Sequence, residues 1–342
     1  MHIPDGYLSP ATSAVMYAAV APFWYLAGRK VKKLLTARMV PVLSIFSAFA
    51  FALQMFNVPL PGGTTGHAVG ATLLAIVLGP WAAVIGISMV FVVQALFFGD
   101  GGVTAIGANA FNMAVIGAFV GYFTYRLFTG NSPITSRRHI AGAIAGSYLA
   151  INVSAFITAL QLGIQPLLFH SSDGTPLYAP YGLNVAIPAM MAGHLLIAGP
   201  IEAVATGLVV AYLRRSHPHL LLASRLQATV GPARSLKPLW AGLGIMVLLT
   251  PLGLLAPGTA WGEWGAEELQ GMGLGYVPKG LERLAGLWPA LFPDYTIPGW
   301  GAEVGYIISA ISGIGIIVGI VWGVSAIITK RMRKSRAGES GG

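Results

Sequence analysis

The sequence predicts an all-α polytopic membrane protein, and three observations carry that reading. Hydrophobic residues make up 55% of the 342 positions and charged residues only 9%. The mean hydropathy is +0.73, and apolar runs of membrane-crossing length recur along the chain between short connections. The chain has no cysteine, which excludes disulfides, thiolate metal sites, iron–sulfur clusters and thiol catalysis. Any bound metal must therefore rest on nitrogen or oxygen.

Apolar spans fall at about 11–29, 39–56, 66–79, 81–98, 103–125, 139–162, 184–213, 239–257 and 305–328, giving nine expected helices. The net charge of +9 could suggest a nucleic-acid binder, but the placement of the charges argues for a sorted membrane chain. Basic residues gather after the first span (Arg29, Lys30, Lys32, Lys33, Arg38), the fifth (Arg126, Arg137, Arg138), the seventh (Arg214, Arg215, Arg225, Arg234, Lys237) and the ninth (Lys330, Arg331, Arg333, Lys334, Arg336). The opposite connections hold only Lys279 and Arg283. This asymmetry predicts an N-terminus outside and a C-terminus inside.

Taken in order, the first element is the dipeptide Met1-His2. A free α-amine, the deprotonated His2 amide and the His2 imidazole can close two fused chelate rings that put three nitrogens in one plane, an arrangement suited to Ni(II) or Cu(II). Residues 1–10 carry no Lys or Arg, and the basic cluster follows the first span, the reverse of a cleavable signal peptide. His2 is also too bulky for the usual removal of an initiator methionine, so the Met1 amine is expected to persist.

Residues 59–66, Pro-Leu-Pro-Gly-Gly-Thr-Thr-Gly, form an outer loop that cannot be regular helix, and His67 is expected to open the helix that follows. A neutral structural histidine is one reading of such a position. The co-facial Met1-His2 favours the other, that His67 is the fourth nitrogen ligand. His139, His217 and His219 lie by inner basic connections, and His170 lies in the outer loop 163–183. His194 sits inside the seventh span, as a functional candidate or a packing residue. Glu202 is the clear intramembrane carboxylate and reads as a locally hydrogen-bonded residue rather than a proton carrier. Asp5, Gln94, Asn109, Asn112 and His194 are candidates to orient the ligands, each equally readable as an interhelical hydrogen bond. Ser44, Ala48 and Ala52 form a small-residue stripe, a candidate face for a coupling subunit. Gly315, Gly319 and Gly323, Gly117 with Gly121, and Gly142 with Gly146 read as internal packing.

The opening MHIPDGYLSP and the stretch PLPGGTTGHAVGATLLAIVLGPW resemble the CbiM/NikM family, the substrate-binding membrane subunits of nickel and cobalt energy-coupling-factor transporters. The resemblance covers residues 1–215 and implies a seven-helix substrate-binding (S) component whose first residues thread into a central pocket. It also implies that Met1 (amine), His2 (amide and imidazole) and His67 hold the metal. After a basic cytoplasmic linker, 216–236, residues 237–335 resemble the two-helix NikN-like, PDGLE-type partner of the same systems. The pentapeptide here is Pro278-Lys279-Gly280-Leu281-Glu282, with Lys where the family has Asp. A flexible tail is expected over 336–342.

Four nitrogens favour Ni(II), with Co(II) a second substrate, and loss of the amide proton makes affinity rise with pH. Cu(II) should bind at least as tightly on the Irving–Williams order, so selectivity must come from metal availability or the pocket. No cofactor is expected. The chain has no Gly-Lys dipeptide, hence no P-loop. ATP-driven import would therefore need partners, which the resemblance names as a transmembrane coupling subunit and ABC-type ATPases in the inner membrane of a prokaryote. H-E-x-x-H does not occur, and G-x-S-x-G occurs only as Gly338-Glu339-Ser340-Gly341-Gly342 beyond the last apolar span, outside the strand-turn-helix context that motif needs, so an enzyme is not expected. A self-contained secondary metal transporter is the alternative, but it commonly shows inverted repeats and several intramembrane acids. A sensor would use the same site without transport.

Overall fold

The computed structural model describes residues 1–34, 39–60, 64–221, 235–256 and 259–339. Among the described residues, nine principal helices run in chain order: α1 (Pro10–Leu34), α2 (Met39–Gln54), α3 (Ala71–Leu78), then α4 (Pro80–Phe98), α5 (Ile106–Thr129), α6 (Arg138–Leu168), α7 (Leu183–Ser216) and α8 (Lys237–Leu255), and α9 (Ala302–Glu339). Among the described residues, six of these helices, α4 to α9, are long and apolar enough to cross a membrane, α9 over Ala302–Ile327. The protein is a multi-pass membrane protein. α1 is long but less apolar, ending in the basic Arg29-Lys30 stretch, and α2 has 16 residues.

The third expected span departs from expectation. α3 has eight residues, a rise of ~12 Å against a hydrocarbon core of ~30 Å, so it does not cross by itself. Nor does His67 open it: residues 67–70 are non-helical. Gly70 takes a left-handed conformation, φ 78°, that stops the helix from propagating backwards. Upstream, β1 (Val58–Leu60) and β2 (Thr64–Gly66) pair antiparallel, Val58 facing Gly66 and Leu60 facing Thr64. The Gly62-Gly63 pair of the expected loop lies outside the described residues, as do Arg38, Arg225, Arg234 and most of the linker 216–236.

Three helices widen into single π-helical turns, Gln94–Phe98 in α4, Ala110–Ile116 in α5 and His194–Ala198 in α7. Such turns concentrate where side chains are re-aimed for function, and here each contains one of the polar candidates: Gln94, Asn112 or His194.

The packing corrects two readings of the small-residue stripes. Ser44, Ala48 and Ala52 are completely buried. Ala48 and Ala52 pack with Leu243 of α8, backed by Met246 and by Ile314 of α9, so the stripe admits this chain's own C-terminal helices and is closed to a coupling subunit. Along α9, Gly315, Gly319 and Gly323 have no neighbouring atom within 4 Å of a built Cβ, so they are not internal packing positions. A Cβ at Gly146 would lie 2.6 Å from the Gly121 carbonyl oxygen, so the α5–α6 contact does rest on glycines.

Between α8 and α9 a connecting segment carries two short helices, Ala266–Gly271 and Lys279–Leu284. The Gly280 amide donates to the Leu177 carbonyl at 2.6 Å, while Lys279 and Glu282 are exposed. In the PDGLE-type pentapeptide the buried Gly280-Leu281 pair makes the contact, and the Lys that replaces the family's Asp projects away. α9 continues to Glu339, so the expected flexible tail 336–342 is helical over its described residues.

Candidate metal centre

The first three residues are buried, with 3%, 3% and 0% of Met1, His2 and Ile3 exposed. Hydrogen bonding explains how a polar backbone can be held there. Asn109 grips the residue after His2 from both sides, its Oδ1 accepting from Ile3 N at 2.8 Å and its Nδ2 donating to Ile3 O at 3.2 Å. Gly102 N also donates to Ile3 O, at 2.8 Å. Asp5 accepts from the backbone of Val103 at 3.0 Å and Thr104 at 2.7 Å, and from the Thr104 hydroxyl at 2.5 Å. The approach is so close that a Cβ at Gly102 would fall 2.2 Å from Asp5 N; only glycine permits it. Buried peptide groups satisfied in this way fix the position of the N-terminal segment.

That segment places His2 against His67, with ring centroids 4.9 Å apart and planes 29° from parallel, and with Phe91 edge-on at 5.3 Å. His67 Nδ1 lies 3.0 Å from the Ala68 carbonyl. A carbonyl only accepts, so Nδ1 carries the hydrogen and Nε2 keeps the lone pair. His67 Nε2 is buried without a hydrogen-bond partner, as are both ring nitrogens of His2. His2 Nδ1 comes within 2.5 Å of Asp100 Oδ1, but out of line for a hydrogen bond, so that contact is electrostatic. The Met1 amine pairs with Glu263 Oε1 at 2.8 Å.

The loop that carries His67 is clamped from within the bundle. Glu202 on α7 accepts from Val69 N at 2.7 Å and from Gly70 N at 3.1 Å, and Gln54 Nε2 donates to Val69 O at 3.1 Å. The expected locally bonded acid is therefore what the geometry shows, and its partners are peptide groups at the start of α3, where the helix dipole favours an anion.

The other expected residues divide. Asn109 and Asp5 hold the N-terminal segment. Gln94 Nε2 reaches Asp100 Oδ2 at 3.4 Å and Tyr295 OH at 3.3 Å, which puts it one residue removed from His2. Asn112 bonds Thr158 at 3.0 Å and Gln161 at 2.8 Å inside the bundle, an interhelical link that contacts none of the expected ligands. His194 Nδ1 donates to the Met190 carbonyl of its own helix at 2.8 Å and so does not orient the imidazoles. Among the described residues no cluster of three or more His, Asp or Glu side chains has metal-holding geometry, so a metal held here would need donors other than such a side-chain cluster.

Three contributors went unseen in the sequence reading. Asp100 lies in the glycine turn Gly99-Asp100-Gly101-Gly102, and its Oδ2 accepts from Tyr295 OH at 2.6 Å. Burial pushes the Asp100 carboxyl up, but His2, His67 and the Tyr295 hydroxyl outweigh it and hold the group below the usual carboxylate range. Glu263 and Tyr295 both come from the segment between α8 and α9. An acid inside a glycine turn at the end of an apolar span was the available signal for Asp100; the other two arrive only through long-range packing.

Residues 2–220 match the CbiM family, described as the cobalt uptake substrate-specific transmembrane region, and residues 237–330 match the PDGLE domain. The chain is 48% identical over 351 aligned positions to the fused nickel transport protein NikMN of Rhodobacter capsulatus, covering 98% of this chain and 100% of the relative. It is 45% identical to the probable fused nickel transport protein LarMN of Lactiplantibacillus plantarum, covering 95% and 97%. A crystal structure of a transition metal transporter superposes with TM-score 0.60 at 54% identity, over 67% of this chain and all of that one.

Proposed function

The chain belongs to the CbiM family and carries a PDGLE domain after it, and on that premise we propose that it is the metal-capturing subunit of a nickel importer, with cobalt as a second substrate. The observation that carries this reading is the convergence of Met1, His2 and His67 in one buried place, with the His67 Nε2 lone pair unengaged. The relatives named as nickel transport proteins share the fused two-part layout, which supports nickel over cobalt.

The metal would take the Met1 amine, the His2 amide and Nδ1, and His67 Nε2 in a square plane. Asp100 would be displaced from His2 Nδ1 and Glu263 from the amine, leaving two carboxylates beside a complex that carries net positive charge. The chain's part is to preorganise the donors: Asn109 fixes the peptide after His2, and the Glu202 clamp fixes the peptide groups after His67.

The membrane part consists of a seven-helix S component and two further helices, with the N-terminus outside and the C-terminus inside, in the inner membrane of a prokaryote. Capture therefore faces outward and delivery inward. Drive comes from separate subunits, a transmembrane coupling protein and ABC-type ATPases. The one clear acid of the membrane helices, Glu202, is bound to peptide groups, which gives a proton-coupled secondary transporter no support. Accumulation of radioactive nickel in cells expressing the chain with and without those ATPases tests the proposal: uptake that needs them is expected, and uptake by the lone chain would refute it.

A further inference from the structure

Between α7, the β1–β2 pair and the segment that joins α8 to α9 lies a cavity of about 370 Å³. Met1 borders it, whereas His2 and His67 are not part of its wall. Most of the wall is aliphatic, with Leu60, Val185 and Met190 among its residues, and one side is aromatic. There Tyr181, Trp261 and Trp264 form a connected group, with ring centroids 5.5 Å apart for the two tryptophans and 6.1 Å from Tyr181 to each. These rings are held from behind: Trp264 O accepts from Tyr7 OH at 2.8 Å, and Ala260 bridges to Thr65 of β2.

One group in this wall lacks its complement. His194 is 4% exposed, and its Nδ1 donates to the Met190 carbonyl one turn back. In the neutral ring Nε2 then carries the lone pair, and among the described residues nothing donates to it. Unlike His67 Nε2 and the His2 nitrogens, His194 Nε2 is not sealed inside packed atoms; it opens on the cavity that His194 lines. The π-helical turn His194–Ala198 begins at this residue, and such turns re-aim side chains where function needs them. A buried acceptor is normally matched by a donor, and here the donor has to come from what enters the cavity.

Cavities of ~300–1,000 Å³ with apolar and aromatic walls and a few placed polar groups are the usual form of small-molecule sites. This one stands near the lower bound, which limits the occupant to a small molecule. The aromatic side favours a ring, which packs edge-on or offset against Trp and Tyr. The wall holds no Lys, Arg, Asp or Glu side chain among the described residues, so a charged ligand would lose its hydration without gaining a partner.

We infer that this cavity binds a small, uncharged aromatic molecule with one O–H or N–H donor, which His194 Nε2 accepts while Tyr181, Trp261 and Trp264 pack the ring. The occupant lies between Met1 and Trp264, next to the Glu263 that pairs with the Met1 amine, and braces that pair against opening. The site stands independently of the proposed nitrogen centre; the bracing of metal loading rests on it.

The test uses the full chain in uncharged detergent and two probes of similar size, 2-naphthol and 2-methoxynaphthalene, which differ in the O–H donor. Equilibrium dialysis against protein-free micelles subtracts partition into detergent. One saturable site per chain is expected for 2-naphthol, at least tenfold tighter than for the ether. His194→Leu should remove that preference. Ala189→Phe, which puts a ring into the cavity from its wall, should abolish saturable binding of both probes and serves as the second variant should His194→Leu fold poorly. Absence of a saturable site, equal affinity for the two probes, a preference kept in folded His194→Leu, or 2-naphthol binding kept in folded Ala189→Phe each overturns the site. In the unmodified chain, saturating 2-naphthol should slow nickel loading at least fivefold, and an unchanged rate overturns the bracing. Loss of nickel binding with naphthol binding intact strikes the nitrogen centre alone, and the reverse result strikes this site alone.

Discussion

His67 and Glu202 are joined through the backbone. The Glu202 carboxylate takes the Val69 and Gly70 amides, and the carbonyl of Ala68, the residue before them, takes the hydrogen on His67 Nδ1. An acid within a membrane helix thereby sets the direction in which an imidazole on another segment points its free nitrogen.

Glu202→Gln keeps the shape and loses the charge, and one of the two accepting oxygens is replaced by an NH2 group that can only donate. Hydrogen bonds to a charged group contribute ~1.5–3 kcal/mol each, and part of that loss should appear as misplacement of His67. We expect nickel affinity to fall about tenfold, with a shifted visible band of bound nickel and a folded protein by thermal unfolding. Calorimetric titration together with the visible spectrum checks this; a lowered melting temperature with an unchanged spectrum would assign Glu202 to fold stability alone.

His67→Ala leaves the Met1-His2 chelate and opens one position of the plane to water. A weaker ligand field should move the visible absorption of the nickel complex to lower energy, and affinity should fall at least a hundredfold with the helical content unchanged. A spectrum identical to that of the unmodified protein would make His67 structural.

Adding one residue before Met1 converts the amine into an amide, removes a donor and breaks the ion pair with Glu263. Nickel affinity should drop by three orders of magnitude or more. In the unmodified chain, binding displaces the ammonium proton and the His2 amide proton, so affinity climbs as pH rises, by about a hundredfold per unit while both protons are released. Titrations at stepped pH read the slope, and a flat profile would exclude amide coordination.

Ala48→Leu with Ala52→Leu forces bulk between α2 and α8. Overpacking of this kind costs ~1–3 kcal/mol per site, so the double variant should melt at lower temperature and should loosen the C-terminal part from the N-terminal bundle, visible as faster proteolysis of the outer segment. Unchanged melting would mean that α2 and α8 do not pack as described.

The sequence discloses the chemistry of the site better than its surroundings. Met1-His2 and His67 could be singled out because chelation by amine, amide and imidazole is a property of the residues themselves. Length and hydropathy made the crossing helices legible from α4 onward, and failed at α3, where an apolar run of helical length contains a stretch held non-helical by Gly70 and by a carboxylate far along the chain. The stripe Ser44, Ala48, Ala52 announced a close helix contact but carried no sign of which helix makes it. Asp100 carries only the glycine turn around it as a local sign, and Glu263 and Tyr295 carry none, because their link to His2 and Met1 arises from packing between distant parts of the chain.

Glu263 reaches the Met1 amine, and Tyr295 reaches Asp100 beside His2, from a domain that shares its polypeptide with them. A tethered partner meets its site at an effective concentration in the millimolar range when the linker is short, independent of how much protein the cell makes. Each capture unit therefore has its own cover in a fixed one-to-one ratio, and a substitution that weakens the cover's contacts tenfold still leaves it in place. A cover supplied as a free chain would be diluted away by the same change, so the fused arrangement gives the acidic wall around the ligands freedom to drift in sequence without losing its occupant.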